Sequence, residues 1–169
     1  YIEFDGHDIT NEPPHKIGAL GLSRTFQLLR LYQDMSVINN VMSGYHTRVK
    51  YKFFDAVIGR KKIWDQEKEI KDEMMELLSF VGLADYAELN ASELSGGQRR
   101  LLVLARAIAM KPKLLMLDEP AAGLSPVNVD NLMKIIMQLK DKYGLTLIII
   151  EHILKAVSYT HLRAHETQY

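Results

Sequence analysis

The sequence contains no cysteine, which excludes a disulfide framework and any thiolate metal site. Excess charge of one sign is also missing: 21 Lys and Arg offset 21 Asp and Glu, so no global field draws the chain to nucleic acid or anionic lipid. Long apolar runs are absent as well. Leu145 to Ile150, among the most apolar stretches, falls far short of the roughly 20 residues that span a bilayer. No basic segment followed by an apolar stretch and a small-residue cleavage site opens the sequence. These absences set the expectation of a soluble chain of the intracellular type. What is present is ordinary for a globular protein: 169 residues, 47% apolar and 25% charged. That composition excludes disorder and collagen-like structure, and at about 150 residues per domain the length points to one domain, two at most.

Read along the chain, Tyr1 to Gly6 alternates apolar and polar residues into an Asp-Gly turn, which predicts a strand and hairpin. Pro13-Pro14 opens a short helix through Leu20, Gly21 stops it, and Leu22 to Phe26 is a strand candidate. From Ser36 to about Leu94 the pattern is helical. Val37, Val41 and Tyr45 follow a Ser36 cap, and Ile63, Ile70, Met74, Leu77 and Val81 repeat with a helical period up to Gly82. Arg60-Lys61-Lys62 reads as a solvated connection. A helix over Gly97 to Met110 places Leu101, Leu104, Ala105 and Ile108 on one face. Leu114 to Leu117 and Leu145 to Ile150 are short apolar runs that predict parallel strands buried on both faces. Between them Ser125-Pro126 opens a helix with Val129, Leu132, Met133, Ile136 and Leu139 inward. The alternation predicts an α/β doubly wound sheet.

Three clusters carry chemistry. Ser95-Gly96-Gly97-Gln98 precedes a helix, where free amides, glycines that let an anion approach the backbone, and the helix dipole form an anion site; taken alone, an ordinary serine cap reads equally well. Asp118 and Glu119 stand at the carboxyl end of a buried strand, where open α/β sheets bind ligands. There the first carboxylate suits magnesium and the second an attacking water, although a strand-ending acidic turn before Pro120 fits the same string. His152 ends the second buried strand and could donate to a phosphate oxygen, while a satisfied surface histidine is the plainer role. Gln27, at the end of the early strand, could bind a metal or a water, with a surface role as the plainer alternative.

In this order the pieces resemble the ATP-binding cassette (ABC) ATPases. Gln27 matches the Q-loop, Leu94 to Gln98 the LSGGQ signature, Leu114 to Asp118 the Walker B strand, Glu119 the catalytic glutamate, Gly123-Leu124-Ser125 the D-loop and His152 the switch histidine. Within the family, Arg24-Thr25-Phe26-Gln27, Asp34-Met35-Ser36-Val37 and Asp118 to Leu124 are similar to the ATPase subunits of branched-chain amino acid importers, with those of lipopolysaccharide export as near relatives. The resemblance implies an α/β P-loop NTPase core with a partial parallel sheet over 1–157 and a helical subdomain at about 36–94, between Q-loop and signature. It implies ATP and magnesium as cofactors. Ser95, Gly96, Gly97 and Gln98 would clamp ATP held mainly by a second ATPase subunit, Asp118 and Gln27 would hold magnesium and water, Glu119 would act on the attacking water, and His152 would steady the γ-phosphate. Partners implied are transmembrane permeases, met through Gln27 and Leu28 to Met35, and indirectly an extracytoplasmic binding protein, with the ATPase peripheral to the cytoplasmic face of the membrane. No nucleic-acid partner is implied: Arg99, Arg100 and Arg106 lie on a helix whose period fits packing, and 36–94 is too short for the coiled-coil insertions of DNA-repair ABC proteins.

The sequence departs from the family in three places. No G-x-x-x-x-G-K-[ST] occurs, nor any Gly-Lys pair, so the phosphate-cradling loop is expected upstream of Tyr1. The 169 residues alone are then expected not to hydrolyse ATP, and to offer at most their signature to a partner's nucleotide. Residues 158–169 look like a non-native tail; a metal site from His161 and His165 lacks the carboxylates and apolar face it would need. Ser125 replaces the aspartate common in the D-loop.

Overall fold

The computed structural model describes residues 1–25, 31–46 and 60–151; Gln27, His152 and the tail at 158–169 lie outside them. Strands β1 (Glu3–Phe4) and β2 (His7–Asp8) form the expected hairpin. Its turn puts Asp5 and Gly6 at φ of 50° and 76°, a backbone that aspartate and glycine adopt more readily than other residues. Helix α1 (Pro14–Leu20) begins on its proline and ends at Gly21, whose φ is 104°.

Strands β3 (Leu22–Thr25), β4 (Leu114–Asp118) and β5 (Thr146–Ile150) form a parallel sheet in that order. The register pairs Thr25 with Leu117 and Asp118 with Ile150, so the carboxyl ends of all three strands share one edge. Parallel neighbours need crossover connections. Helix α5 (Pro126–Tyr143) supplies the one from β4 to β5, and the five inward residues predicted for it are all buried. The fold is α/β.

The connection from β3 to β4 holds α2 (Val37–His46), α3 (Arg60–Phe80), two short 3₁₀ turns (Ala84–Tyr86 and Ala91–Glu93) and α4 (Gly96–Ala109). Ser36 Oγ accepts from the Asn39 amide at 3.3 Å and so caps α2 as read. Helix α2 lies against α4, and Gly44 makes this possible: a Cβ there would collide with the backbone carbonyl of Arg106. Residues 33–38 run alongside 87–92, joined by Val37 N to Leu89 O and Ile38 N to Ala87 O, both 2.9 Å. Asn40 is fully buried and pins this segment. Its Oδ1 accepts from Tyr32 N at 3.0 Å, and its Nδ2 donates to the carbonyls of Tyr32, Met35 and Ser36 at 3.0 to 3.1 Å. A buried amide must be satisfied in this way or cost stability.

Three expectations require correction. Arg60-Lys61-Lys62 is not a connection but the first turn of α3; arginine and lysine are good helix formers, and here they extend the periodic run. The second strand is not buried on both faces. In β5, Ile148 and Ile150 are 42% and 47% exposed while Leu147 and Ile149 are half-buried. In β4 only Leu115 and Leu117 are fully buried. Among the described residues, helices cover one face of the sheet, and side chains alternate between that face and the other. Finally, α4 is apolar on more than one stripe: Leu102 and Val103 are buried as well as Leu104, Ala105 and Ile108, because α4 packs against α2 and α3 as well as the sheet, and Leu101 is only half-buried.

Candidate functional site

The amino end of α4 is built as a capping box. Ser95 Oγ accepts from the Gln98 amide at 3.3 Å, and Gln98 Oε1 accepts from the Ser95 amide at 2.9 Å. Such a cap satisfies two of the donors that every helix leaves open at its start. The amides of Gly96 and Gly97 remain outside the helical ladder, and no atom stands within 4 Å of where either glycine's Cβ would be. An anion can therefore reach the backbone here without displacing a side chain. A groove of about 670 Å³ opens beside it, lined by Ser95, Gly97, Gln98 and Arg100 on one wall and by Asn128, Asn131 and Lys134 of α5 on the other.

Asp118 ends β4, and its Oδ2 takes a 2.8 Å ion pair from Arg24 on the adjacent strand. With side chains 50% and 27% exposed, the pair contributes at most about 1 kcal/mol. Glu119 follows with φ of 47°, a left-handed conformation costing a non-glycine residue roughly 1–2 kcal/mol. Such a conformation persists only where the surroundings over-determine it, and they do here. The Glu119 amide donates to Ile150 O at 2.9 Å, the Ala121 amide to Glu151 Oε1 at 2.7 Å, and Arg100 Nη2 donates to Ala122 O. Arg100, Thr25, Asp118 and Glu119 line a smaller cavity of about 40 Å³ at the strand ends. Arg100 thus borders both hollows, joining the start of α4 to the acidic pair.

Of the residues singled out from sequence, the fold brings Ser95, Gly96, Gly97 and Gln98 together on one exposed helix start, and Asp118 and Glu119 together at one sheet edge. Gln27 and His152 lie outside the described residues. Sequence reasoning assigned nothing to Arg24 or Glu151 and read Arg100 as packing. The available signals were positional: Arg24 stands one residue before the end of β3, and Glu151 directly follows β5. Among the described residues no three His, Asp or Glu side chains gather as a metal cage. One carboxylate with a second beside it fits the mode in which magnesium keeps its waters and is shared with substrate phosphates.

The sequence model of the family described as "ABC transporter" matches residues 1–122. The chain belongs to the ABC transporter family. A high-affinity branched-chain amino acid transport ATP-binding protein of Pseudomonas aeruginosa, BraF, is 35% identical over 156 residues, covering 92% of this chain and 61% of that protein. A probable branched-chain amino acid transport ATP-binding protein of Archaeoglobus fulgidus, LivG, is 40% identical over 160 residues, covering 92% and 59%. The chain therefore spans about three-fifths of the length of the curated relatives it matches. Among solved structures, the ADP conformation of MJ1267, an ATP-binding cassette of an ABC transporter, superposes with a TM-score of 0.73 at 31% identity, over 92% of this chain and 61% of that one. A dimeric ABC transporter cassette, MJ0796, superposes at 0.67 with 21% identity, over 85% and 57%, a likeness of fold. The ABC cassette fold agrees with the α/β architecture read from the sequence. No helix among the described residues is long and apolar enough to cross a membrane.

Proposed function

We propose that this chain is part of the ATP-binding and hydrolysing subunit of an ABC importer for branched-chain amino acids. The observation that carries the reading is the joint placement of an open, glycine-lined helix start at Ser95–Gly97 and an acidic pair at the end of a parallel strand, both bordered by Arg100. The names of the relatives supply the solute class. Ser95, Gly96, Gly97 and Gln98 bind the γ-phosphate of a nucleotide seated mainly on a second ATPase subunit. Asp118 and Gln27 would hold magnesium, which would neutralise phosphate charge. Glu119 takes a proton from the attacking water, and His152 donates to the γ-phosphate. Amides aimed at an anion are preorganised and need no rearrangement as charge develops, which is why such donors matter to rate. The 169 residues hold no G-x-x-x-x-G-K-[ST] phosphate-cradling loop. The cassette is peripheral to the cytoplasmic face of the membrane.

Docking on a permease is supported by exposed apolar side chains on two paired segments. Met35 and Leu89 are each 40% exposed, and backbone hydrogen bonds between residues 33–38 and 87–92 hold their segments side by side. Apolar clusters left in water commonly mark contact surfaces. The test is reconstitution of the full-length gene product with its neighbouring permeases and binding protein in liposomes. ATP-dependent accumulation of leucine, isoleucine or valine is expected; ATP turnover without uptake of any of the three rejects the solute assignment.

A further inference from the structure

The loop that carries Glu119 is gripped by side chains from two separate elements that the catalytic assignment leaves unused. Arg100, in the second turn of α4, donates to the carbonyl of Ala122, and Glu151, directly after β5, accepts from the amide of Ala121 at 2.7 Å. Between these anchors and the Glu119 amide bound to Ile150 O, the short run 119–122 is fixed at three points. Two further hydrogen bonds, Ala122 N to Glu119 O and Leu124 N to Ala121 O at 3.2 and 3.1 Å, are local turns within the loop. Glu119 sits in a left-handed backbone, which relaxes unless its neighbours hold it. We propose that Arg100 and Glu151 are positioning residues: together they clamp residues 119–122 and so fix where the Glu119 carboxylate points. One clamp belongs to the signature helix and the other precedes His152, so a shift of either element moves the loop. This inference rests on the proposed role of Glu119 in ATP hydrolysis.

Hydrogen-exchange mass spectrometry on the full-length gene product reads the clamp without reference to turnover. Removing a charge-assisted hydrogen bond in R100M or E151A is expected to speed exchange of peptides over 119–124 about tenfold, with α5 within about twofold of the parent. E151Q keeps an acceptor oxygen, so its loop is expected within about threefold of the parent. R100M and E151A are expected to lower kcat about tenfold with KM for ATP little changed, and E151Q by no more than about threefold. Unchanged exchange at 119–124, a rise shared equally by α5, or E151Q matching E151A overturns the clamp; if R100M fails to fold, the E151A and E151Q pair decides. Faster loop exchange with kcat unaltered overturns the positioning role. Exchange that responds in a parent protein without ATP turnover leaves the clamp standing and rejects hydrolysis instead.

Discussion

Gly44→Ala sets two backbone effects of opposite sign against each other. Gly44 lies inside α2, where alanine is intrinsically favoured by roughly 1 kcal/mol. Against this, the added methyl meets the Arg106 carbonyl of α4, a backbone atom that no rotamer change can move. The helices must separate, and overpacking of this kind costs typically about 1–3 kcal/mol, occasionally more. Because the obstruction is main chain, the upper end applies and the net effect is a loss of about 2 kcal/mol. For a protein of this size that lowers Tm by roughly 4–8 °C. Gly18→Ala is the internal control. It too lies inside a helix, and its added Cβ would be 4.0 Å from the flexible Met110 side chain, so it is expected to gain roughly 0.5–1 kcal/mol. Thermal unfolding followed by circular dichroism measures both. A Gly44→Ala protein as stable as the parent would show that α2 and α4 do not meet backbone to backbone, and would refute this account of how the signature helix is seated.

Other outcomes follow from single contacts. Asn40→Ala strips the Tyr32 amide of its partner and takes one of two donors from the carbonyls of Tyr32, Met35 and Ser36, and is expected to cost roughly 1–3 kcal/mol in a denaturant titration; a loss under ~0.5 kcal/mol contradicts the pin. Glu119→Gln in the full-length protein is expected to accumulate an ATP-bound dimer, visible as a doubled mass by light scattering with ATP and magnesium. The Lys142 ammonium hydrogen-bonded to Glu76 holds that carboxyl below its ordinary 4.5. A lowered carboxylate stabilises the fold above the unfolded value and loses that contribution as pH falls through the folded one. The parent should therefore lose Tm more steeply than Glu76→Gln as pH drops below about 4.5; parallel curves contradict the pairing.

The elements that could be read from sequence were those whose local signals and burial agree. In α5 the inward residues Val129 to Leu139 follow one period because that helix buries a single stripe against the sheet. The capping box at Ser95 and Gln98 lies within four residues of chain and needs no tertiary context. Reading failed where a second partner decides. Leu102 and Val103 are buried because α4 packs against α2, α3 and β3 at once, and Val103 also lines the cavity with Leu117, Leu132 and Ile136, partners distant in sequence. The two sides of β5 differ because helices cover only one of them among the described residues. Arg24, Arg100 and Glu151 had only their positions to betray them: each reaches a residue distant in sequence, Asp118, Ala122 and Ala121. A strained Glu119 likewise leaves no trace in its own residue type. Motifs name the residues that face a ligand, while the residues holding them in place emerge only from the fold.

The central claim is that, across the boundary between two ATPase subunits, the Ser95–Gly97 amides of one subunit and an acidic pair such as Asp118-Glu119 on the other act on one triphosphate. Steady-state ATP turnover by the full-length gene product, purified with whatever ATPase subunit accompanies it, tests this most directly. Gly97→Asp, which sets a carboxylate in the anion site, and Glu119→Gln are each expected to reduce turnover on the order of 10² to 10³. A Gly97→Asp protein that hydrolyses ATP at the parent's rate contradicts the claim.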